Sequence, residues 1–517
     1  MIEGMKRPTP PEVASTAASL ARAGFEAYLV GGCVRDLLLE KTPKDWDVAT
    51  NAKPEEIQKL FSSFAPLGGA AADKPATVYE NQFGTVGVKT DSEDPTLKII
   101  EVTTYRLEGK YTDKRHPDEV TFAKTIEEDL GRRDFTVNAM ALALTYDQRP
   151  TTHDKLSVVS HKSLVDPYGG QKDLKAKLIR AVGNPKERFN EDALRLLRAI
   201  RFSAQLGFSI EKNTLAAIRA EAGLLEFVSK ERIRDEFTKL LMTERATDGV
   251  RTLAATGLLR HILPELTEGI GVSQNKHHIY EVFEHNVRAL DYAVSKKLPL
   301  ELRLASLLHD VGKPKTKRGE GSDSTFYGHQ VVGERMAAKA LDRLRFSKDI
   351  TEKVALLVRE HMFVYDPDVV TEAGVRRLIR RVGKENVDGL ILLREADRIG
   401  SGVPKAQPYR LRYLKAMIEK VQQDPVHPKM LKIRGDTVME ILKIEPGPKV
   451  GKILAVLLEE VLEDPGLNDD ERLKERILKL GKLSDKELDA LATKAKEAAS
   501  AAQERIDGEI KKKYFVN

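Results

Sequence analysis

One cysteine, Cys33, stands among 517 residues. A lone thiol excludes an intramolecular disulfide framework and a cysteine-based zinc site, and it fits a reducing compartment. No apolar run approaches membrane-spanning length, so a membrane partner is not expected. The opening residues, Met1-Ile2-Glu3-Gly4-Met5-Lys6-Arg7, do not read as a signal peptide, and a cytoplasmic chain is expected. A large excess of charge of either sign is missing too. Lys and Arg number 85 against 79 Asp and Glu, a net +6 that permits a polyanionic partner without requiring one.

What is present is length for several domains and a composition, 41% hydrophobic and 32% charged, that describes a soluble and helix-rich protein. Residues 11–24 read as a helix with Pro near its start and Gly24 at its end. The stretch from Tyr28 to Thr50 is the one around which the chain is organised. Tyr28-Leu29-Val30 suits a buried strand, Gly31-Gly32 lets the backbone turn and approach a ligand, and Cys33 to Leu39 has helical content whose N-terminus offers amides to a phosphate. After the Thr42-Pro43 turn, Asp45-Trp46-Asp47-Val48 reads as a strand with both carboxylates on one face. Two adjacent carboxylates repel unless they share a hard cation such as magnesium. Lys53 to Phe61 reads as a helix, and 84–88 and 98–103 alternate like strands, giving a small mixed sheet with the carboxylates near its centre. Glu101 is either a third carboxylate towards the metal or an ordinary exposed strand residue. Residues 106–120 read as a polar surface loop.

Arg132-Arg133-Asp134-Phe135-Thr136-Val137-Asn138-Ala139 places two guanidinium groups, suited to a triphosphate, before an Asn in an otherwise apolar stretch expected to be helical. Asp166 to Gly170 is a turn by composition. From Asn184 the pattern is helical. Within Glu191-Asp192-Ala193-Leu194-Arg195, Asp192 and Arg195 are three apart and are expected on one helical face, while Arg198 and Arg201 walk round the helix. A carboxylate accepts from the exocyclic amine of C or A and an Arg donates to the adjacent ring nitrogen, whereas G and U reverse that order.

In this order, G-G-x-V-R-D with D-W-D, R-R-D-F-T-x-N-A and E-D-x-x-R resemble the tRNA nucleotidyltransferase and poly(A) polymerase family, of the bacterial and eukaryotic class, over about residues 25–265. The resemblance implies catalytic, magnesium-holding Asp45 and Asp47, a triphosphate cradle of Gly32 and Arg35, and nucleotide contacts from Arg133 and Asn138. It makes Asp192 and Arg195 the base selectors, with Arg198 and Arg201 on phosphates or positioning that pair. It also makes 106–120, with Asp113 and Arg115, the loop used on switching to A, which leans against an enzyme adding only C.

Residues 273–400 carry another set: His277, His278, His285, His309-Asp310, His329, His361 and Asp397. Leu304 to Lys313 reads as a buried helix ending in Gly, and His and Asp at its end are costly unless they bind a divalent transition ion or form a two-metal phosphohydrolase centre. The order resembles the HD phosphohydrolase superfamily, which implies a principal site of His285, His309, Asp310 and Asp397, and a second completed by His329 and His361. Nickel, cobalt, manganese or zinc suit it. Residues 401–517 are helical and charged, ending in Lys511-Lys512-Lys513, either a solvated face or a grip on the tRNA elbow.

The expectation is therefore an α+β chain. A mixed-sheet nucleotidyltransferase head spans 1–160, a helical neck 161–268, an HD domain 269–400 and a helical tail 401–517. The implied function is CCA addition to tRNA 3′ ends from CTP and ATP, with a phosphohydrolase activity besides. An A-adding enzyme or poly(A) polymerase, or an HD phosphohydrolase with a ligand-binding head, are the alternatives.

Overall fold

The computed structural model describes residues 9–62, 77–80, 84–108, 120–146, 158–275, 279–320, 323–491 and 493. Asp113 and Arg115, His277 and His278, and Lys511 to Lys513 lie outside them. The chain forms two compact units, Met1–Thr267 and Glu268–Asn517.

The first unit begins with α1 (Pro11–Arg22), which buries Val13, Ala17 and Leu20, a four-then-three spacing that puts them on one face. Strands β1 (Ala27–Val30), β2 (Asp47–Thr50), β3 (Thr77–Glu80), β4 (Thr85–Lys89) and β5 (Ile99–Thr104) come next, with α2 (Gly32–Leu38) and α3 (Pro54–Ser62) between them. A short ribbon of β6 (Arg106–Glu108) and β7 (Val120–Phe122) flanks the expected loop. After it stand α4 (Ile126–Gly131), a 3₁₀ turn at Thr136–Asn138, β8 (Ala141–Tyr146) and β9 (Val158–Val165). Seven strands make one sheet in the order β3-β4-β5-β2-β1-β8-β9. β2 is fourth, parallel to β5 and antiparallel to β1, so the carboxylate strand is central and the sheet is mixed. On β5 the alternation of buried Ile100, Val102 and Thr104 with exposed Ile99 and Glu101 sets one face to the core.

Helices take over after β9: α5 (Gly170–Ala176), α6 (Pro185–Glu191), α7 (Leu194–Leu206), α8 (Lys212–Ala220), α9 (Lys230–Leu241), α10 (Ala246–Ala255), α11 (Leu259–Ile262) and α12 (Pro264–Thr267). A two-stranded pair, β10 (Leu178–Ile179) and β11 (Ser209–Ile210), ties the start of this region to the end of α7.

Three expectations need correction. Asp45 is in a bend, and the strand begins only at Asp47, after the Pro43 turn. The arginine motif is not a helix throughout, because α4 ends at Gly131 and Asn138 closes the 3₁₀ turn ahead of β8. Asp192 does not share a helical face with Arg195. The chain leaves α6 at Asp192 in an extended conformation (φ −132°, ψ 105°), and α7 starts two residues later. The Asp192 carboxylate accepts from the Leu194 amide, a local bond that competes with helix continuation.

The second unit is helical: α13 (Val282–Ser295), α14 (Leu300–Leu308), α15 (Lys313–Thr316), α16 (His329–Arg343), α17 (Lys348–Glu360), α18 (Glu372–Val382), α19 (Val387–Gly400), α20 (Tyr409–Val421), α21 (Gly435–Leu442), α22 (Pro448–Glu463) and α23 (Asp470–Gly481). The last three share an apolar core that includes Val438, Ile453, Leu457, Val461, Leu473 and Ile477. Arg376 of α18 fastens this core to the preceding helices, donating to Asp424 and to the Leu462 carbonyl from a buried position. Among the described residues no helix is long and apolar enough to cross a membrane.

One contact locks the 3₁₀ turn to α5. A Cβ at Gly170 would lie 2.4 Å from the Thr136 carbonyl oxygen and 2.8 Å from Met140. Gly170→Ala should therefore displace the turn and destabilise the first unit by about 1–3 kcal/mol. The fluorescence of Trp46, the sole tryptophan and buried in that unit, measures the loss as a lowered denaturation midpoint.

Candidate functional site

In the first unit the site forms where β1 ends. Gly31 has φ +75°, and a Cβ there would lie 2.7 Å from Arg133 Nη1 and 3.4 Å from Asp47 Oδ2. The steric need for glycine thus falls on Gly31 more than on Gly32, where the nearest atom, Arg35 Nη2, would be 3.6 Å away. Asp47 is half-buried and Asp45 exposed, and the strand register sets Glu101 beside Asp47. Burial pushes the Asp47 carboxyl up to about 6, Arg133 opposes the shift, and Glu101 and Asp45 add to it. An all-oxygen set in which two neighbouring carboxylates add to the cost of ionising Asp47 fits a hard cation. Their donor atoms are not gathered into a common cluster within 4.8 Å. Cys33 lies beneath, donating to the Val30 carbonyl, its thiol pushed up to about 12 by burial and so unreactive.

Three of the expected nucleotide-site residues, Arg35, Asn138 and Arg198, are joined through a carboxylate to which the motifs assign no role. Asp134 is buried, and its Oδ2 accepts from Arg198 Nε at 2.8 Å and Nη2 at 2.6 Å. Its Oδ1 accepts from the Phe135 amide and from Asn138 Nδ2. Asn138 Oδ1 in turn accepts from Arg35 Nη1 at 2.7 Å. Glu236 of α9, also buried, lies 3.9 Å from Arg198 Nη1 and pairs with Arg201 at 2.5 Å, and Arg201 lies over the Phe202 ring at 3.8 Å. Burial would raise the Asp134 carboxyl, but Arg198 and Asn138 bring it below its ordinary value. Glu236 was legible as a charge on the buried stripe of Ile233, Phe237 and Leu240, where an unpaired carboxylate would be costly.

The two expected base selectors are each held by further partners. Arg232 donates to Asp192 Oδ2 at 2.8 Å. Arg195 pairs with Glu191 at 2.6 Å and donates to the carbonyls of Arg188 and Arg132. Arg133 and Arg132 share the buried Asp129, whose carboxyl is lowered by them against its burial.

The second unit gathers all six expected residues. His309 and Asp310 come directly after α14, His285 lies on α13, His329 opens α16, His361 caps α17 and Asp397 lies on α19. His285, His309, Asp310 and Asp397 form one group, and Asp310, His329 and His361 a second, with every donor atom in each group within 4.8 Å of the others. Asp310 is common to both: Oδ2 is 3.0 Å from His285 Nε2 and Oδ1 is 3.2 Å from His329 Nε2. The Nδ1 atoms of His309, His329 and His361 each donate to a carbonyl, of Ser306, Phe326 and Val358. In the neutral rings this leaves the Nε2 lone pairs facing the centre, as a metal ligand requires. Lys313, reaching Asp310 Oδ2 at 2.5 Å, and His309 hold the Asp310 carboxyl well below its usual range against burial, and Arg394 and His285 do the same for Asp397. Mixed imidazole and carboxylate donors fit a divalent transition ion, and the shared carboxylate fits a pair of them.

Residues 27–180 match the model of the poly A polymerase head domain, 207–270 that of the probable RNA and SrmB-binding site of polymerase A, and 282–401 the HD domain. An A-adding tRNA nucleotidyltransferase of Deinococcus radiodurans is 37% identical over 446 residues, which cover 84% of this chain and 91% of that enzyme. This chain belongs to the tRNA nucleotidyltransferase and poly(A) polymerase family. A CCA-adding enzyme of Leuconostoc citreum is 43% identical over 240 residues, covering 46% of this chain and 51% of that one. The chain thus spans about half the length of the curated CCA-adding relatives it matches. Among solved structures, the Bacillus stearothermophilus CCA-adding enzyme in complex with CTP superposes with a TM-score of 0.64 at 27% identity, over 91% of this chain and 98% of that one.

The buried Asp134 pair generates a pH-dependent prediction. Its folded carboxyl titrates below its unfolded value, so its stabilisation is present above the unfolded pKa and is lost as pH falls through the folded one. Asp134→Asn should cost about 3–5 kcal/mol at neutral pH by taking from Arg198 its close carboxylate partner and leaving only Glu236, 3.9 Å away. The difference from the unsubstituted protein should shrink below about pH 4. Urea unfolding followed by Trp46 fluorescence at both pH values measures it. An equal difference at both would rule out the charge pair as its cause.

Proposed function

We propose that this protein completes the CCA end of tRNA from CTP and ATP without a nucleic-acid template, in the cytoplasm. The observation that carries the reading is the head site: a central Asp47 beside Asp45 and Glu101, with Arg133 over Gly31 and Arg35 bonded to Asn138. The division into head 1–160, neck 161–268, HD domain 269–400 and tail 401–517 belongs to this proposal. So does the tail as a grip on the tRNA elbow.

Asp45 and Asp47 would hold magnesium, whose chemistry there is to activate the tRNA 3′ hydroxyl and offset charge at the α-phosphate. The chain's own groups do the positioning. Gly32 and Arg35 receive the triphosphate, and Arg133 and Asn138 hold the nucleotide close to Asp47. Asp192 offers an acceptor and Arg195 a donor for the edge shared by C and A. Arg232 and Glu191 fix those two groups, while Arg198 and Arg201, anchored by Asp134 and Glu236, brace the helix behind them.

A second reading, A addition alone, is favoured by one observation: the relative matched along 91% of its length is an A-adding enzyme. The experiment that separates them uses tRNA lacking its three terminal nucleotides, with CTP, ATP or both, read by product length. CCA addition predicts two added residues with CTP and three with both. A addition predicts none on that substrate and one with ATP on tRNA already ending in CC. Asp47→Ala should lower whichever activity is found at least about 100-fold. Near-normal incorporation by that variant would overturn the catalytic assignment.

The HD residues support a separate phosphohydrolase centre holding a transition metal such as manganese, nickel, cobalt or zinc. His309→Ala with Asp310→Ala should abolish hydrolysis of 2′,3′-cyclic nucleotides and leave nucleotide addition within about threefold. Parallel loss of both activities in a folded variant would mean that one site had been divided into two.

A further inference from the structure

The helix that supplies Asp397 carries two arginines that the metal set does not account for. Residues 394, 397 and 398 are three and four apart and so share the face that Asp397 turns to the histidines. Asp397 Oδ1 lies 3.3 Å from His285 Nε2 and 3.7 Å from His309 Nε2. Its other oxygen, Oδ2, is 2.6 Å from Arg394 Nη1, so the guanidinium begins where the ligand carboxylate ends.

Arg394 keeps a buried Nε without a hydrogen-bond partner. An unmet buried donor of this kind is costly unless a ligand supplies the acceptor. Arg398 has no carboxylate partner among the described residues. It donates from Nη1 to the Tyr365 hydroxyl at 3.2 Å and makes only long contacts, 3.4 Å, to the Lys405 carbonyl. The Tyr365 hydroxyl also lies 3.5 Å from Arg394 Nη2, and the Arg394 guanidinium stands over its ring at 5.1 Å. Burial would raise the Tyr365 phenol, but Arg394 and Arg398 bring it below its ordinary value, which makes it a stronger donor to an anion. Lys313, the other buried cation of the centre, is already engaged by Asp310 and by Gln274.

We infer that Arg394, Arg398 and the Tyr365 hydroxyl form the phosphate-binding wall of the HD centre, so that the site takes substrates through an anionic phosphoryl group. The inference rests on the phosphohydrolase reading for the identity of the centre, but the wall is a property of these three residues. Two planar guanidinium forks and a phenol present converging donors of the kind a phosphoryl group accepts. Arg394 has a double duty, since it also holds Asp397. Arg398 and Tyr365 hydrogen-bond to none of the six metal-set residues, and so they separate the wall from the support of Asp397.

The test is calorimetric titration of the full chain, loaded with manganese, with inorganic phosphate. A hydrogen bond from a charged donor is among the stronger kind, so Arg398→Gln should weaken phosphate binding by roughly tenfold or more. Tyr365→Phe should weaken it by about threefold to tenfold, and Arg398→Lys should recover part of the loss. Manganese stoichiometry and affinity should stay unchanged in all three, and nucleotide addition should be unaffected. With a cyclic nucleotide as substrate, the loss should fall on KM and leave kcat within about threefold. Unchanged phosphate affinity in Arg398→Gln would overturn the inference, as would a fall in manganese affinity that tracks the fall in phosphate affinity. Phosphate binding that depends on Arg398 in a protein that hydrolyses no phosphoester would uphold the wall and remove the hydrolase reading instead.

Discussion

The Asp134 carboxylate is the constraint on which the first unit depends. It is a charge in the interior, and its cost of desolvation is offset by the Arg198 fork, the Asn138 amide and the Phe135 backbone N–H together. Each partner belongs to a different part of the site. Asn138 passes the connection to Arg35 on α2, and Arg198 passes it to the helix whose first turn comes after Asp192. Arg35, Arg198 and Arg201 all approach the ring of Phe202, at 5.4, 5.3 and 3.8 Å, and Phe202 meets Phe135 edge-on. Within the first unit, the segment around Phe135 and the helix α7 are therefore set against one another by a polar chain around one aromatic pair. A chain of that kind gives a fixed geometry to arginines that would otherwise lose considerable side-chain entropy on ordering.

Short motifs made the site legible in the sequence, and pairing made it illegible. The central strand with Asp47, the glycine turn and all six HD-centre residues could be read because glycine, paired carboxylates and histidine carry strong local meaning. The break at Asp192 could not, because Asn190 to Phe202 has helical composition throughout. At the end of α6 the Asp192 side chain accepts from the Leu194 amide two residues on and from Arg232 some forty residues on. Glu236 is legible only as a costly charge on a buried stripe, since its partner Arg201 is reported by no local pattern. The strand reading of Asp45 failed for a related reason. Alternation extends over the whole Asp45 to Val48 stretch, but the chain bends at Lys44 and Asp45 and strand pairing starts only at Asp47.

The two units solve the problem of buried charge in different ways. In the first, carboxylates are neutralised by arginines, and Asp47, with like charges beside it, keeps an elevated affinity for its proton. In the second, Asp310 and Asp397 are held ionised among imidazoles, with Lys313 and Arg394 supplying the countercharge. Oxygen donors alone suit a hard cation. Imidazole and carboxylate in a buried, rigid helical frame suit a resident transition metal. The difference in donor chemistry is what makes two separable activities physically reasonable in one chain.

If the polar chain through Asp134 is one cooperative unit, its far members must be coupled in energy although each touches only its own neighbours. A double-mutant cycle on urea stability, combining Asn138→Ala with Glu236→Gln and read by Trp46 fluorescence, measures that coupling directly. A cooperative chain predicts an interaction energy of about 0.5–3 kcal/mol between the two sites. Additivity within about 0.3 kcal/mol would contradict it, and would reduce the network to independent pairs.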